Sequence, residues 1–100
     1  MVKHVILWTL RDSCYGPELE NIKKGIKDGL EDLKGKIPGL VDISVHTEVL
    51  SSSNADVILD STFEDVASLK AYATHPLHVA VADEKVRPFT ATRTCIDYEI

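Results

Sequence analysis

Between Val2 and Leu10 nearly every side chain is apolar or aromatic, with only Lys3, His4 and Thr9 interrupting. Such a run predicts a strand covered on both faces, and alternation sends His4, Ile6, Trp8 and Leu10 one way and Val5 and Leu7 the other. The next periodicity is helical. Leu19, Ile22, Ile26, Leu30, Leu33 and Ile37 recur every three or four residues behind Pro17, which suits a first helical turn. This stripe predicts a helix running to Gly35; the pattern leaves open whether Gly25 and Gly29 admit a close neighbour or are surface glycines. After Pro38-Gly39, the positions Leu40, Val41, Ile43, Val45, Thr47 and Val49 predict a second strand, with Ser44 and His46 on its other face, and Ser51 to Asn54 form a loop. A third strand spans Asp56 to Phe63, mixing Val57, Ile58 and Leu59 with Asp60, Ser61 and Thr62.

Either Thr62 or Asp65 can cap the next helix, which presents Val66, Leu69, Tyr72 and Ala73 to the sheet. Pro76 ends that helix and opens another, with Leu77, Val81 and Glu84 on successive turns before Pro88. The closing strand, Thr90 to Glu99, sets Ala91, Arg93, Cys95, Asp97 and Glu99 on one face against Thr92, Thr94, Ile96 and Tyr98 on the other. The order β-α-β-β-α-α-β predicts an α+β domain, a ferredoxin-like subunit whose helices cover one face of an antiparallel sheet. One domain fills residues 1–100, since a chain of this mass buries about 65% of its extended surface without a staple. The sheet's other face, carrying Val5 and Leu7, is apolar and uncovered in a single chain, which predicts a homodimer.

Charge narrows the partners. With 11 Lys and Arg against 16 Asp and Glu the net charge is −5, which argues against a nucleic-acid surface and against an anionic membrane. The apolar start is cut off by Arg11-Asp12, short of a membrane span, so it reads as a strand and not a signal. Cys14 and Cys95 can form one bridge in principle, but isolated near opposite ends they have neither metal-site spacing nor the density of a disulfide framework. Reduced thiols and a cytoplasmic location are expected. No phosphate loop, dinucleotide fingerprint, nucleophile elbow or zinc-protease motif occurs, so no cofactor is expected. His75, His78 and Asp83 match no recognised metal motif, and no metal is expected either.

Three stretches together carry a family likeness: Lys3-His4-Val5 opening the first strand, Phe63-Glu64 before the second helix, and Tyr72-Ala73-Thr74-His75-Pro76-Leu77-His78. With Ile37-Pro38-Gly39 and the closing strand, the whole domain resembles the stress-responsive dimeric α/β-barrel (Dabb) family. That resemblance implies a ferredoxin-like subunit and a homodimer whose two sheets close into a dimeric α/β barrel. It also implies functional positions at Tyr72 and His78, by similarity to a plant polyketide cyclase of the family that performs an intramolecular aldol condensation. The strand-one histidine of that enzyme resembles His4, and its aliphatic cavity residues resemble Ile6, Leu59, Val66 and Leu69. This chain has Leu30 where the cyclase has a helix-one tyrosine, Ser61 where it has a bulky hydrophobic, and Thr92 and Thr94 where it is aliphatic. A cavity of different shape and greater polarity, and a different substrate, are therefore expected.

The candidate chemistry rests on Tyr72 and His78. An imidazole exchanges protons near neutral pH, so His78 can act as general base while the Tyr72 phenol donates to a developing oxyanion. They stand six residues apart across the break at Pro76, and only the turn can bring them together. The competing reading has both satisfying backbone groups at a helix junction. His4 either orients substrate or water at the end of an apolar cavity or is a hydrogen-bonded core histidine, and Trp8 is a cavity wall or core. Ser61, Val81 and Phe89 complete the candidate pocket, while His75 and Pro76 are expected to fix the turn and cap the following helix. Arg93 either meets a substrate carboxylate or an acid at the dimer edge. Two functions follow: an acid/base enzyme acting on a small oxygenated organic molecule, with aldol-type cyclisation as the example, or a non-enzymatic dimer that binds a small-molecule ligand or serves a stress response.

Overall fold

In the computed structural model, which covers residues 1–100, Val2–Leu10 (β1), Leu40–His46 (β2), Val57–Phe63 (β3) and Thr90–Glu99 (β4) pair antiparallel in the order β2-β3-β1-β4. Leu19–Glu31 (α1), Val66–Thr74 (α2) and Pro76–Val81 (α3) are the helices, and α3 runs on into a π-helical turn at Ala82–Val86. This is the ferredoxin-like α+β plan that the pattern predicts. None of the helices is long and apolar enough to cross a membrane.

Alternation along the strands sorts the two sheet faces. His4, Ile6, Trp8 and Leu10 of β1, Leu40, Ile43 and Val45 of β2, and Val57, Leu59, Ser61 and Phe63 of β3 are all buried beneath the helices. Ile26 and Leu30 of α1 and Tyr72 of α2 close the core from the other side. On the opposite face Leu7, Ile96 and Tyr98 stay 38%, 59% and 48% exposed, so the sheet is covered on one side only within the chain.

Several elements differ from expectation. α1 stops at Glu31 and not at Gly35; Leu33 and Ile37 reach the core from successive turns, with Gly35 at a left-handed φ of 82°. Gly39 has the same φ, and a Cβ there would lie 2.2 Å from Ser68 Oγ, so only glycine lets the chain enter β2 beside the start of α2. β2 ends at His46, the last residue with a partner across β3, and Val49 is left 43% exposed. The stripe Leu77, Val81, Glu84 is not the buried one: Leu77 and Glu84 are exposed, and the π-helical turn instead buries Ala82 and Val86. The two glycines differ: a Cβ on Gly29 would sit 3.0 Å from Val81 Cγ1, tighter than ordinary packing, so Gly29 admits a close neighbour, whereas one on Gly25 would lie at ordinary contact distance, 3.6 Å from Lys85 Cδ.

Candidate active site

The corner between α2 and α3 follows from the chemistry of proline. Asp65, extended at φ −159°, caps α2 by accepting from Ser68 N–H at 2.7 Å. In an unbroken helix Tyr72 O would accept from residue 76, but Pro76 has no N–H, and His75 N–H takes its place at 3.1 Å. His75 is itself extended, as a residue before proline prefers, and its Nδ1 accepts from Leu77 N–H at 3.1 Å, capping α3. That diverts the donor Ala73 O would otherwise have had. His78 supplies another, its Nδ1 lying 3.3 Å from Ala73 O, and the imidazole folds back over the Tyr72 ring with centroids 4.1 Å apart. A carbonyl only accepts, so Nδ1 carries the proton and Nε2 keeps its lone pair. Burial pushes His78 below its ordinary pKa; Arg87, His4 and Arg93 add to this, and the Ala73 bond opposes it.

Tyr72 is 1% exposed, wedged against Phe63 at 4.9 Å and His4 at 6.2 Å between centroids. Its hydroxyl is buried and has no hydrogen-bond partner, and burial holds the phenol protonated far above its usual range. His4 comes from the sheet. The β1–β4 register sets it opposite Asp97, whose carboxylate accepts from His4 Nδ1 at 2.5 Å. Beneath it Ser61 donates to His4 O at 2.7 Å.

Between the corner and the sheet lies a cavity of about 250 Å³. Ile6, Trp8, Leu59 and Leu69 give it apolar walls, alongside Leu30 of α1. His4, Tyr72 and His78 line it as well, and so do the exposed Arg87 and Arg93. A more open groove of about 550 Å³ adjoins it, sharing His4, Leu69, Ala73 and Arg93 and adding Val66, Cys95 and Asp97.

Seven of the expected site residues thus meet at one cavity: Tyr72, His78, His4, Ile6, Trp8, Leu59 and Leu69. Val66 lines the adjoining groove instead, because it sits one turn nearer the start of α2 and is 46% exposed. Ser61 is spent on the His4 carbonyl, Val81 packs on Gly29, and Phe89 stands beside Ile22 and Gly25 of α1; none of the three lines the cavity. Thr92 and Thr94 do not make the cavity more polar. They pair with Thr9 and Leu7 on the uncovered face, and the Thr9 and Thr92 hydroxyls bond to each other at 2.6 Å. Nothing in the local sequence marks Asp97 and Cys95 as site residues; only the pairing of β4 with β1, and its register, brings them there. His4 Nδ1, Cys95 Sγ and an Asp97 oxygen lie within 4.8 Å of one another, the one mixed nitrogen, sulfur and oxygen donor set in the chain. Both cysteines are free thiols, and burial and the Asp97 charge push that of Cys95 up.

The sequence matches the stress-responsive A/B barrel domain family over residues 2–100. Among solved structures, a protein of Bacteroides fragilis, described as dimeric, of unknown function and ferredoxin-like, is 32% identical and superposes with a TM-score of 0.90, covering 99% of this chain and 95% of that one. An Arabidopsis thaliana protein is 25% identical, with a TM-score of 0.75 over 100% and 95% of the two chains. The hydroxynitrile lyase of Passiflora edulis, at 16% identity, shares the fold with a TM-score of 0.74 over 99% and 92%. No curated protein matches the chain. Fold, family-wide sequence match and structural likeness agree, and the chain belongs to the stress-responsive A/B barrel domain family.

Proposed function

We propose that this protein is an acid/base catalyst acting on a small carbonyl compound, with His78 as base and Tyr72 as oxyanion donor, in reactions of the aldol type. The observation that carries the reading is Tyr72: it lines a cavity beside an imidazole with a free Nε2, and its buried hydroxyl has no hydrogen-bond partner. Leaving such a group unpaired costs about 1–3 kcal/mol, a cost a merely supporting tyrosine would not carry when phenylalanine fills the same space. In the reaction His78 Nε2 takes a proton from the carbon next to the carbonyl, and the Tyr72 O–H donates to the enolate oxygen. The carbanion attacks a second carbonyl carbon, whose oxygen then takes the proton back from His78. The lowered pKa of His78 keeps it neutral, and so competent as a base, at neutral pH. A volume of about 250 Å³ lies below the roughly 300–1,000 Å³ of drug-sized sites, which suits a small substrate.

Assembly as a cytoplasmic homodimer belongs to the same proposal, supported by the uncovered Leu7, Ile96 and Tyr98 and by relatives described as dimeric. A sedimentation mass of twice 11.1 kDa is expected. The chemistry is tested by hydrogen–deuterium exchange next to the carbonyl of 2-butanone, followed by NMR. His78→Ala should lower the protein-catalysed rate about a hundredfold and Tyr72→Phe at least about tenfold. If both folded variants keep the wild-type rate, or the wild type has none, the reaction is wrong and the site is one for ligand binding alone.

A further inference from the structure

The cavity's electrostatics single out a class of ligand. The chain has 16 Asp and Glu and a net charge of −5, yet no carboxylate lines the cavity, whereas Arg87, Arg93, His4 and His78 all do. In an acidic protein this is a local reversal of sign. The two arginines differ: Arg87 is already paired with Asp83, one turn away, while Arg93 forms no ion pair within the chain. The adjoining groove has two acids, Asp97 and Glu99; Asp97 is engaged by His4, and neither pairs with Arg93.

We propose that the ligand is a small organic anion, a carboxylate that also carries an oxo group, held by Arg93 through its carboxylate. This deepens the acid/base reading and rests on it for the placement of the oxo group at Tyr72. A guanidinium matches a carboxylate with two parallel N–H donors. Arg93 is exposed, so the charged end of the ligand stays near water and avoids the cost of burying an ion, while the neutral carbonyl end enters the apolar chamber towards the unpartnered hydroxyl. A neutral ketone satisfies Tyr72 and leaves Arg93 unused; an anion with no carbonyl does the reverse. Only the combined molecule uses both.

The test is calorimetric titration of the intact protein with 3-oxobutanoate and with its methyl ester, at low and at raised salt. The acid should bind about tenfold tighter than the ester at low salt, and the difference should shrink as salt is added. Arg93→Met should abolish the preference, and Arg87→Met should reduce it less, because Asp83 already occupies that side chain. Equal binding of acid and ester, binding of neither at millimolar concentration, or a preference that survives Arg93→Met overturns the proposal. A fall of the Arg93→Met protein to monomer mass overturns it too, by assigning the arginine to a contact between subunits. Exchange on neutral 2-butanone by the wild-type protein needs no anion site, so its failure marks the acid/base reading and not this one.

Discussion

The two imidazoles at the cavity are held by partners at very different distances along the chain. His78 donates to Ala73 O, five residues away, and its position follows from one missing N–H at Pro76. His4 donates to Asp97, 93 residues away, and that contact exists only because β4 lies against β1 in one particular register. A slip of one residue would turn Asp97 to the uncovered face and leave Tyr98 or Ile96 opposite. The corner is a local device and the strand pair a global one. They converge through aromatic contact, because Phe63 touches His4 at 6.2 Å and Tyr72 at 4.9 Å between centroids.

Removing that shared wall should have the largest effect. Phe63 is fully buried, and Phe63→Ala should cost about 3–5 kcal/mol in urea denaturation and loosen both histidines together. If only one of them loses its NMR signature of fixed packing, the two regions are not coupled through Phe63. Next comes Pro76→Ala, which returns an N–H to the chain and lets Tyr72 O recover its helical donor. We expect the corner to straighten and ketone exchange to fall about tenfold or more, while the His4–Asp97 contact stays intact. Loss of both contacts would show that the corner and the strand pair are one unit.

The smallest expected effect is a dependence of stability on pH. Burial lowers the pKa of His78 in the folded protein below its ordinary 6.5. The unfolded chain therefore takes up the proton first on acidification. Stability from this group is complete above pH 6.5 and declines as pH falls from there towards the folded pKa. Denaturation midpoints measured between neutral and mildly acid pH should show that decline, and His78→Gln should flatten it. An unchanged slope in the variant would place the effect in another group, such as Glu31. Burial disfavours that carboxylate, but Lys27 and the Val45 N–H outweigh the effect and hold its pKa below the usual range.

What was legible in the sequence tracks the same division between near and far. Local pattern located the four strands and the three α-helices, by apolar runs and periodicity in β1 and α1 and by proline and turn punctuation elsewhere, because each is a property of neighbouring residues. The short helical turn at Asp12–Cys14 carried no such signal. The proline break, the cap at His75 and the meeting of Tyr72 with His78 are short-range events that the order of residues 72–78 nearly dictates. Element ends were less legible where packing sets them. α1 yields at Glu31 to turns that still bury Leu33 and Ile37, and the π-helical turn moves burial from Leu77 to Ala82 and Val86.

Tertiary structure alone decided which face of β4 joins the cavity. Both faces of that strand mix polar and apolar residues, so its pattern could not say whether Thr92 and Thr94 or Arg93, Cys95 and Asp97 would face the helices. Pairing with β1 chose the second set. The same pairing made His4 a hydrogen-bonded partner of Asp97 and left Arg93 beside the chamber, while the fold sent Ser61, Val81 and Phe89 to other duties. The sequence by itself determined the elements and the proline corner, since both arise from interactions spanning a few residues. Sheet register brings together residues nearly the whole chain apart, and no local preference encodes it.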